Sequence, residues 1–212
     1  MSDRAAFLSR LREAVAVAVP PPRHPVVATG SDPPPVDYAI PTDGVEAFSS
    51  ALAALGGTTH RAADRRAARE VVLGLVAGRA PLLVGAEADV AALRLEGLQW
   101  PGCGIAGAAR AAVGVVGCRA LVAATGSVVV DAAAAAGRSL SLLPPACIVV
   151  ARAAQLVATP GDVLRRRDRL WPGGVPSQVV LITGPSRSAD IEMTLTRGVH
   201  GPGEFAVVVI DG

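Results

Sequence analysis

The sequence predicts an α/β fold, a mostly parallel sheet covered by helices on both faces. Three observations predict it. Short apolar runs of strand length alternate with stretches that carry a helical repeat. Several of those runs, such as Val179-Val180-Leu181-Ile182, are apolar without alternation, as strands buried on both faces are. Half of the 212 residues are hydrophobic (51%), which supplies a sizeable core for one large domain or one domain with a small extension.

Ser2 is placed to cap a first helix whose Phe7, Leu8, Leu11 and Val15 share a face. The proline-rich segment Pro20 to Pro41 ends it and reads as an extended arm. This divides the chain into a helix and arm over residues 1–41 and an α/β domain over 42–212. Val45 to Leu55 is helical, Gly56-Gly57 stops it, and a short strand follows near Thr58–His60. Ala63 to Ala77 is a helix with Val71, Val72, Leu75 and Val76 as its buried stripe. Leu82–Val84 is a buried strand and Ala88–Leu95 a helix. From Val113 strands dominate: Leu121–Ala123, Ser127–Val130, Ile148–Val150, Val179–Ile182 and Ala206–Ile210. Helices are expected near Asp162–Leu170 and Asp190–Arg197, the second starting between Ser186 and Ala189. Val179–Ile182 is expected inside the sheet, with both faces buried.

Composition excludes several chemistries. The chain has no lysine, all twenty basic residues being arginine, so Schiff-base, pyridoxal phosphate and Walker-lysine chemistry are out of reach. Asparagine is absent too. Cys103, Cys118 and Cys147 have no CxxC spacing and cannot hold a four-cysteine iron–sulfur cluster by themselves. His24, His60 and His200 are scattered, without metal-ligand spacing, so neither a metal nor a cofactor is expected. A net charge of +2 with no basic stripe argues against nucleic acid. Arg110, Arg119 and Asp131 cut the longest apolar stretches, so no membrane span of ~18 apolar residues arises. The charged, amphipathic start is unlike a secretory signal, and a cytoplasmic location is expected.

Gly102 to Gly107 spells GxGxxG, but Gly97 and Pro101 occupy the place of the strand that a dinucleotide fingerprint needs. No acid follows at about twenty residues either, the first being Asp131, so a loop is expected. Ala124-Thr125-Gly126-Ser127 lies between two apolar strands and reads either as an anion nest or as a hairpin turn. Arg138 precedes Leu142-Leu143-Pro144-Pro145 in apolar surroundings, where an arginine meets a carboxylate or a ligand anion. Thr183 to Ser188 would join the carboxyl end of a strand to the amino end of a helix, a place for anions. Ser186 or Ser188 would cap that helix, with Asp190 and Glu192 in its first turn. Capping does not account for Arg187, which calls for an anionic ligand or a local partner such as Asp190. His200, before Pro202, reads as a capping or packed histidine or as a general base.

The strings ATGSVVV, GRSLSLLPPACIVV and LITGPSRSADIEMTLTRGVHGPGEF, in this order and spacing, resemble the LUD-domain family. Within it the chain is similar to the lactate-utilisation protein C type, and the amino-terminal helix, the proline-rich arm and ALAALGGTTHRAA fit as well. The resemblance implies the fold of the sugar-isomerase, CoA-transferase and formyltetrahydrofolate cyclo-ligase group. It implies a part in oxidation of L-lactate to pyruvate beside partner subunits that carry the iron–sulfur clusters. Two departures bear on the site: Ala124 and Cys147 stand where the family commonly has an acid and a histidine. Their loss favours binding or assembly over independent catalysis. The expectation is thus an accessory, non-redox protein with a small-anion-binding crevice formed by Thr125, Gly126, Ser127, Arg138, Gly184, Ser186, Arg187 and Asp190. A stand-alone cyclo-ligase- or isomerase-like enzyme on a phosphorylated or carboxylated metabolite, and a structural interaction protein, are the alternatives.

Overall fold

The structure, a computed structural model, describes residues 4–17, 43–132, 139–188 and 196–212. The chain separates into two units, residues 1–37 and 38–212. The first contributes the helix α1 (Arg4–Val17). Ser2 and the proline-rich arm fall outside the described residues.

The second unit runs α2 (Gly44–Ala54), β1 (Thr58–Ala62), α3 (Arg65–Val76), β2 (Leu82–Val84), α4 (Ala88–Ala91), β3 (Leu98–Gln99), α5 (Gly104–Ala108), β4 (Val113–Gly117), β5 (Ala120–Val122) and β6 (Ser127–Asp131). It continues with α6 (Ser139–Leu142), β7 (Ala146–Arg152), β8 (Leu156–Val157), α7 (Pro160–Arg165), α8 (Arg167–Leu170), β9 (Val179–Ile182), β10 (Arg187–Ser188), β11 (Thr196–Arg197) and β12 (Glu204–Ile210). Asp43 and Asp64 cap α2 and α3 by accepting from the Glu46 and Ala67 amides, satisfying donors that a helix start leaves open.

The main sheet has the order β1-β12-β7-β4-β2-β3, and every pairing in it is parallel. Side chains alternate between its faces. Val113, Val115, Ile148, Val150 and Val208 pack under Ala68, Val72 and Val76 of α3 and Val90 of α4. Val116, Val149, Val207 and Val209 point the other way, onto Val45, Phe48 and Leu52 of α2, Ala108 of α5 and Leu140 of α6. Helices therefore cover both faces, and the central strands carry no polar alternation for that reason.

A second sheet, β8-β5-β6-β9, packs over the α2 side of the first through Leu121, Val128, Val180 and Ile182. Its outer face, with Val122, Val129 and Val157, is closed by Val163 of α7 and by Trp171. The sequence reading missed this layer and misplaced β9. Val179–Ile182 is a strand, but it pairs with β6 alone and is an edge, with Leu181 42% exposed. A four-residue apolar run also suits an edge strand whose residues pack into the cores on both sides of it, Val180 and Ile182 on one and Val179 on the other.

The helix expected near Asp190–Arg197 is corrected where it meets described residues, 189–195 lying outside them. Arg187–Ser188 pairs antiparallel with Thr196–Arg197, so no helix begins at Ser186–Ser188. At the expected start the Ser186 amide donates instead to the Pro202 carbonyl, and the Ser186 carbonyl accepts from the Gly198 amide. The loop expected over Gly102–Gly107 is corrected in part: Gly104 to Gly107 lie within the five-residue α5, which follows the two-residue edge strand β3, and Gly107 packs on Cys103. No helix of the described residues is long and apolar enough to cross a membrane.

Candidate functional site

Ala124 to Gly126 is the turn of the β5–β6 hairpin, and the β6–β9 register brings Thr183 beside Ser127. Ser127 Oγ lies 2.7 Å from Thr125 Oγ1 and 2.8 Å from Thr183 Oγ1, so three hydroxyls satisfy one another around a buried serine. Gly126, at φ 62°, lies directly on the backbone of α2. Gly184, at φ 93°, rests on Leu55, the residue that closes α2. Arg187 Nη2 donates to the Leu55 carbonyl.

The structure thus gathers Thr125, Gly126, Ser127, Gly184 and Arg187 around the last turn of α2. Arg138 and Asp190 lie outside the described residues. The partner of Arg187 is a helix carboxyl end, where a cation is favourable, rather than a helix amino end, where it is not. Arg187→Ala is expected to cost about 1 kcal/mol, since the contact is exposed, and to lower Tm by about 2–4 °C in differential scanning fluorimetry. An unchanged Tm would show that the contact contributes nothing to the fold. His200 is exposed in the turn after β11, and Cys147 is buried in β7.

A second site was missed by the sequence reading. A cleft of about 660 Å³ opens where the carboxyl ends of β2, β4 and β7 meet the second sheet and the α7–α8 segment. Open α/β sheets place ligands at this edge. Each strand delivers a charged residue as it leaves the sheet: Glu87 after β2, Arg119 after β4 and Arg152 at the end of β7, while β6 ends in Asp131. Arg166 and Arg169 line the opposite wall.

Two arginines in the cleft are oriented by carboxylates through Nε. Arg119 Nε donates to Asp131 Oδ2 over 2.5 Å, and Trp171 Nε1 donates to the same oxygen over 2.8 Å. Asp131 is fully buried while Arg119 keeps 38% of its side chain exposed. Arg152 Nε donates to Asp89 Oδ2 over 3.1 Å. Among the described residues the Nη groups of both arginines form no protein hydrogen bond, so each guanidinium is fixed on one edge and open on the other. That is the edge an oxyanion takes.

Glu87 has no such partner. Both of its carboxyl oxygens are buried and meet no donor in hydrogen-bonding geometry. Burial pushes its pKa up; the nearby Glu87 and Gly117 amides pull it down, Asp131 raises it and Arg119 lowers it. Burial also raises the Cys118 thiol, and it pushes Cys147 up to about 12, so neither supplies a thiolate at neutral pH. Among the described residues no group of three or more His, Cys, Asp and Glu is placed to hold a metal ion. One signal in the sequence pointed here: Asp131, Arg119 and Arg152 each stand at or just beyond the end of an apolar run.

Residues 105–210, half of the chain, match the model of the LUD domain. The chain belongs to the LUD-domain family. Among curated relatives, lactate utilization protein C of Shouchella clausii (strain KSM-K16) is 39% identical over 100 residues, 47% of this chain and 44% of that one. Lactate utilization protein C of Bacillus subtilis (strain 168) is 38% identical over 105 residues, 49% of this chain and 44% of that one. The chain thus spans less than half the length of the curated relatives it matches. A crystal structure of a DUF162 family protein from Deinococcus radiodurans superposes with a TM-score of 0.59 at 22% identity, over 79% of this chain and 96% of that one, which shows a shared fold. Of the cleft residues, Arg119, Asp131, Arg152, Arg166 and Arg169 fall within the LUD match, and Glu87 and Asp89 precede it.

Proposed function

We propose that this LUD protein is an accessory, non-redox component of L-lactate utilisation. It acts in the cytoplasm beside iron–sulfur partner subunits that carry out the oxidation to pyruvate. The observation that carries this reading is the set of relatives named lactate utilization protein C, two of which match at 39% and 38% identity over about half of this chain. The cysteine pattern supports the division of labour, because three separated cysteines cannot ligate a cluster alone. The anion is held between Arg119 and Arg152, whose open guanidinium edges suit a carboxylate. The Thr125–Ser127 and Arg187 contacts serve instead to lock the hairpin and the Thr183–Ser188 loop onto α2.

A second reading, a stand-alone enzyme on a carboxylated or phosphorylated metabolite, is favoured by Glu87, a buried carboxyl with no protein partner in a cleft of about 660 Å³. Deletion of the gene separates the two. The accessory reading expects loss of growth on L-lactate as sole carbon source, normal growth on pyruvate, and restoration by the wild-type gene. Equal growth of the deletion strain on both carbon sources would sink it.

A further inference from the structure

We propose that the cleft takes a two-ended anion, a carboxylic acid that also bears a phosphoryl group, with its carboxylate at Arg119 and Arg152 and its phosphoryl group at Arg166 and Arg169. This rests on the placement of the anion between Arg119 and Arg152 given above. It adds a second subsite on the opposite wall and the class of ligand that fills both.

The second subsite follows from the pairing within one run of charge, Arg165-Arg166-Arg167-Asp168-Arg169, along α7 and α8. Arg165 Nη2 pairs with Asp162 Oδ1 over 2.9 Å, and Arg167 Nε pairs with Asp168 Oδ1 over 3.4 Å. Neither of these arginines lines the cleft. Arg166 and Arg169, three positions apart and so on one side of the segment, both line it. Among the described residues neither of the two forms a side-chain hydrogen bond or an ion pair. The acids of the segment are taken by the arginines that face elsewhere, and the pair that faces the cleft is left uncompensated.

The two walls therefore differ in charge. Arg119 and Arg152 are each balanced by a carboxylate, Asp131 and Asp89, and offer only their Nη edges. A singly charged carboxylate suits that wall, since it accepts in the planar, paired geometry of a guanidinium. Arg166 and Arg169 bring two positive charges and five N–H donors each. A phosphoryl group, with a charge of about −1.5 to −2 and three acceptor oxygens, matches them where a second carboxylate would not. Glu87, the third acid of the cleft, keeps its carboxyl oxygens buried. The walls are also tied together. Trp171, the residue after α8, donates through Nε1 to Asp131 Oδ2, the oxygen that accepts from Arg119. A cleft of about 660 Å³ has room for both ends, since sites for small molecules hold about 300–1,000 Å³.

The probes are 3-phosphonopropionate and 4-phosphonobutyrate, which carry both ends at two spacings, with propionate and ethylphosphonate, which carry one end each. Isothermal titration calorimetry of the full chain is expected to give the better two-ended probe a Kd lower than that of either one-ended probe by about tenfold or more, the effect of one further hydrogen bond between charged groups. The double variant Arg166→Ala/Arg169→Ala is expected to lose that advantage and to bind the two-ended probe no more tightly than propionate. Arg165→Ala/Arg167→Ala removes the same charge from the same two helices outside the cleft, and it is expected to keep the advantage. Melting curves check that both double variants fold. Equal binding of one-ended and two-ended probes by the wild-type protein, an advantage that survives in Arg166→Ala/Arg169→Ala, or an equal loss in both double variants would overturn the second subsite while leaving the anion site in place. Failure of the wild-type protein to bind any of the four probes would overturn both the second subsite and the anion site.

Discussion

Gly126→Ala is expected to be among the most damaging single changes in this protein, costing about 3 kcal/mol. Two independent effects add. A left-handed backbone costs a residue with a Cβ about 1–2 kcal/mol, and Gly126 has φ 62°. The new Cβ would also lie 2.3 Å from the Leu52 amide nitrogen and 2.7 Å from Leu52 Cα, which are backbone atoms of α2. A side chain would rotate away, but here the helix itself must move, and overpacking of this kind costs about 1–3 kcal/mol. The hairpin would lift from α2 and loosen Phe48 and Leu52, which are fully buried beneath the second sheet. Urea denaturation measures the change as a fall in midpoint at constant m. Gly74→Ala is the control. Gly74 lies inside α3 with nothing within 4 Å of an added Cβ, so alanine there should stabilise by about 0.5–1 kcal/mol. A Gly126→Ala midpoint equal to that of the wild type would mean that the turn does not seat on the helix as described.

Asp131→Ala is expected to cost about 3–5 kcal/mol, the range for removing one member of a buried ion pair. The Trp171 indole N–H, in a residue only 6% exposed, loses its acceptor, and Arg119 loses the carboxylate that fixes it. Asp131→Asn should be milder, because the amide oxygen still accepts from Trp171 while the charge is gone. The same variant is expected to weaken anion binding, because Arg119 would no longer be held with its open edge toward the cleft. Calorimetry and melting curves on the asparagine variant separate these effects. A variant that melts early but binds normally would show that Asp131 serves the fold alone.

Much of the main sheet was legible in the sequence. Leu82–Val84 in the main sheet and Val179–Ile182 in the second have the strand limits that their apolar runs suggest, and Val72 and Val76 form part of the buried face of α3 as the helical stripe requires. Pairing was not legible. The run at Val179 shows that a strand exists, but whether two strands or one flank it depends on residues far away in the chain. The polar string after it looked like a helix start because Ser186, Ser188, Asp190 and Glu192 have capping character. Tertiary bonds to Pro202 and a two-residue ladder to Thr196 overrode that local preference. The cleft was harder still. Glu87, Arg119, Asp131 and Arg152 span 65 positions between the first and the last, and only the parallel crossings of the main sheet together with the second sheet's antiparallel hairpin bring them to one cleft.

The place of β12 within the main sheet has a consequence for synthesis. It lies between β1 and β7, the strand formed by residues 58–62 and the one formed by residues 146–152. While residues 204–210 are still inside the ribosome, β1 has no neighbour in the sheet and the side of β7 away from β4 is open. The nascent chain therefore carries an exposed, valine-rich edge until its seventh parallel residue, Ile210, has emerged. Closure is a late, long-range event, joining Thr58 to Ala206 across most of the domain's length, and pairings of this kind form slowly. A ribosome stalled shortly before Glu204 would thus release a chain able to pair with another like itself.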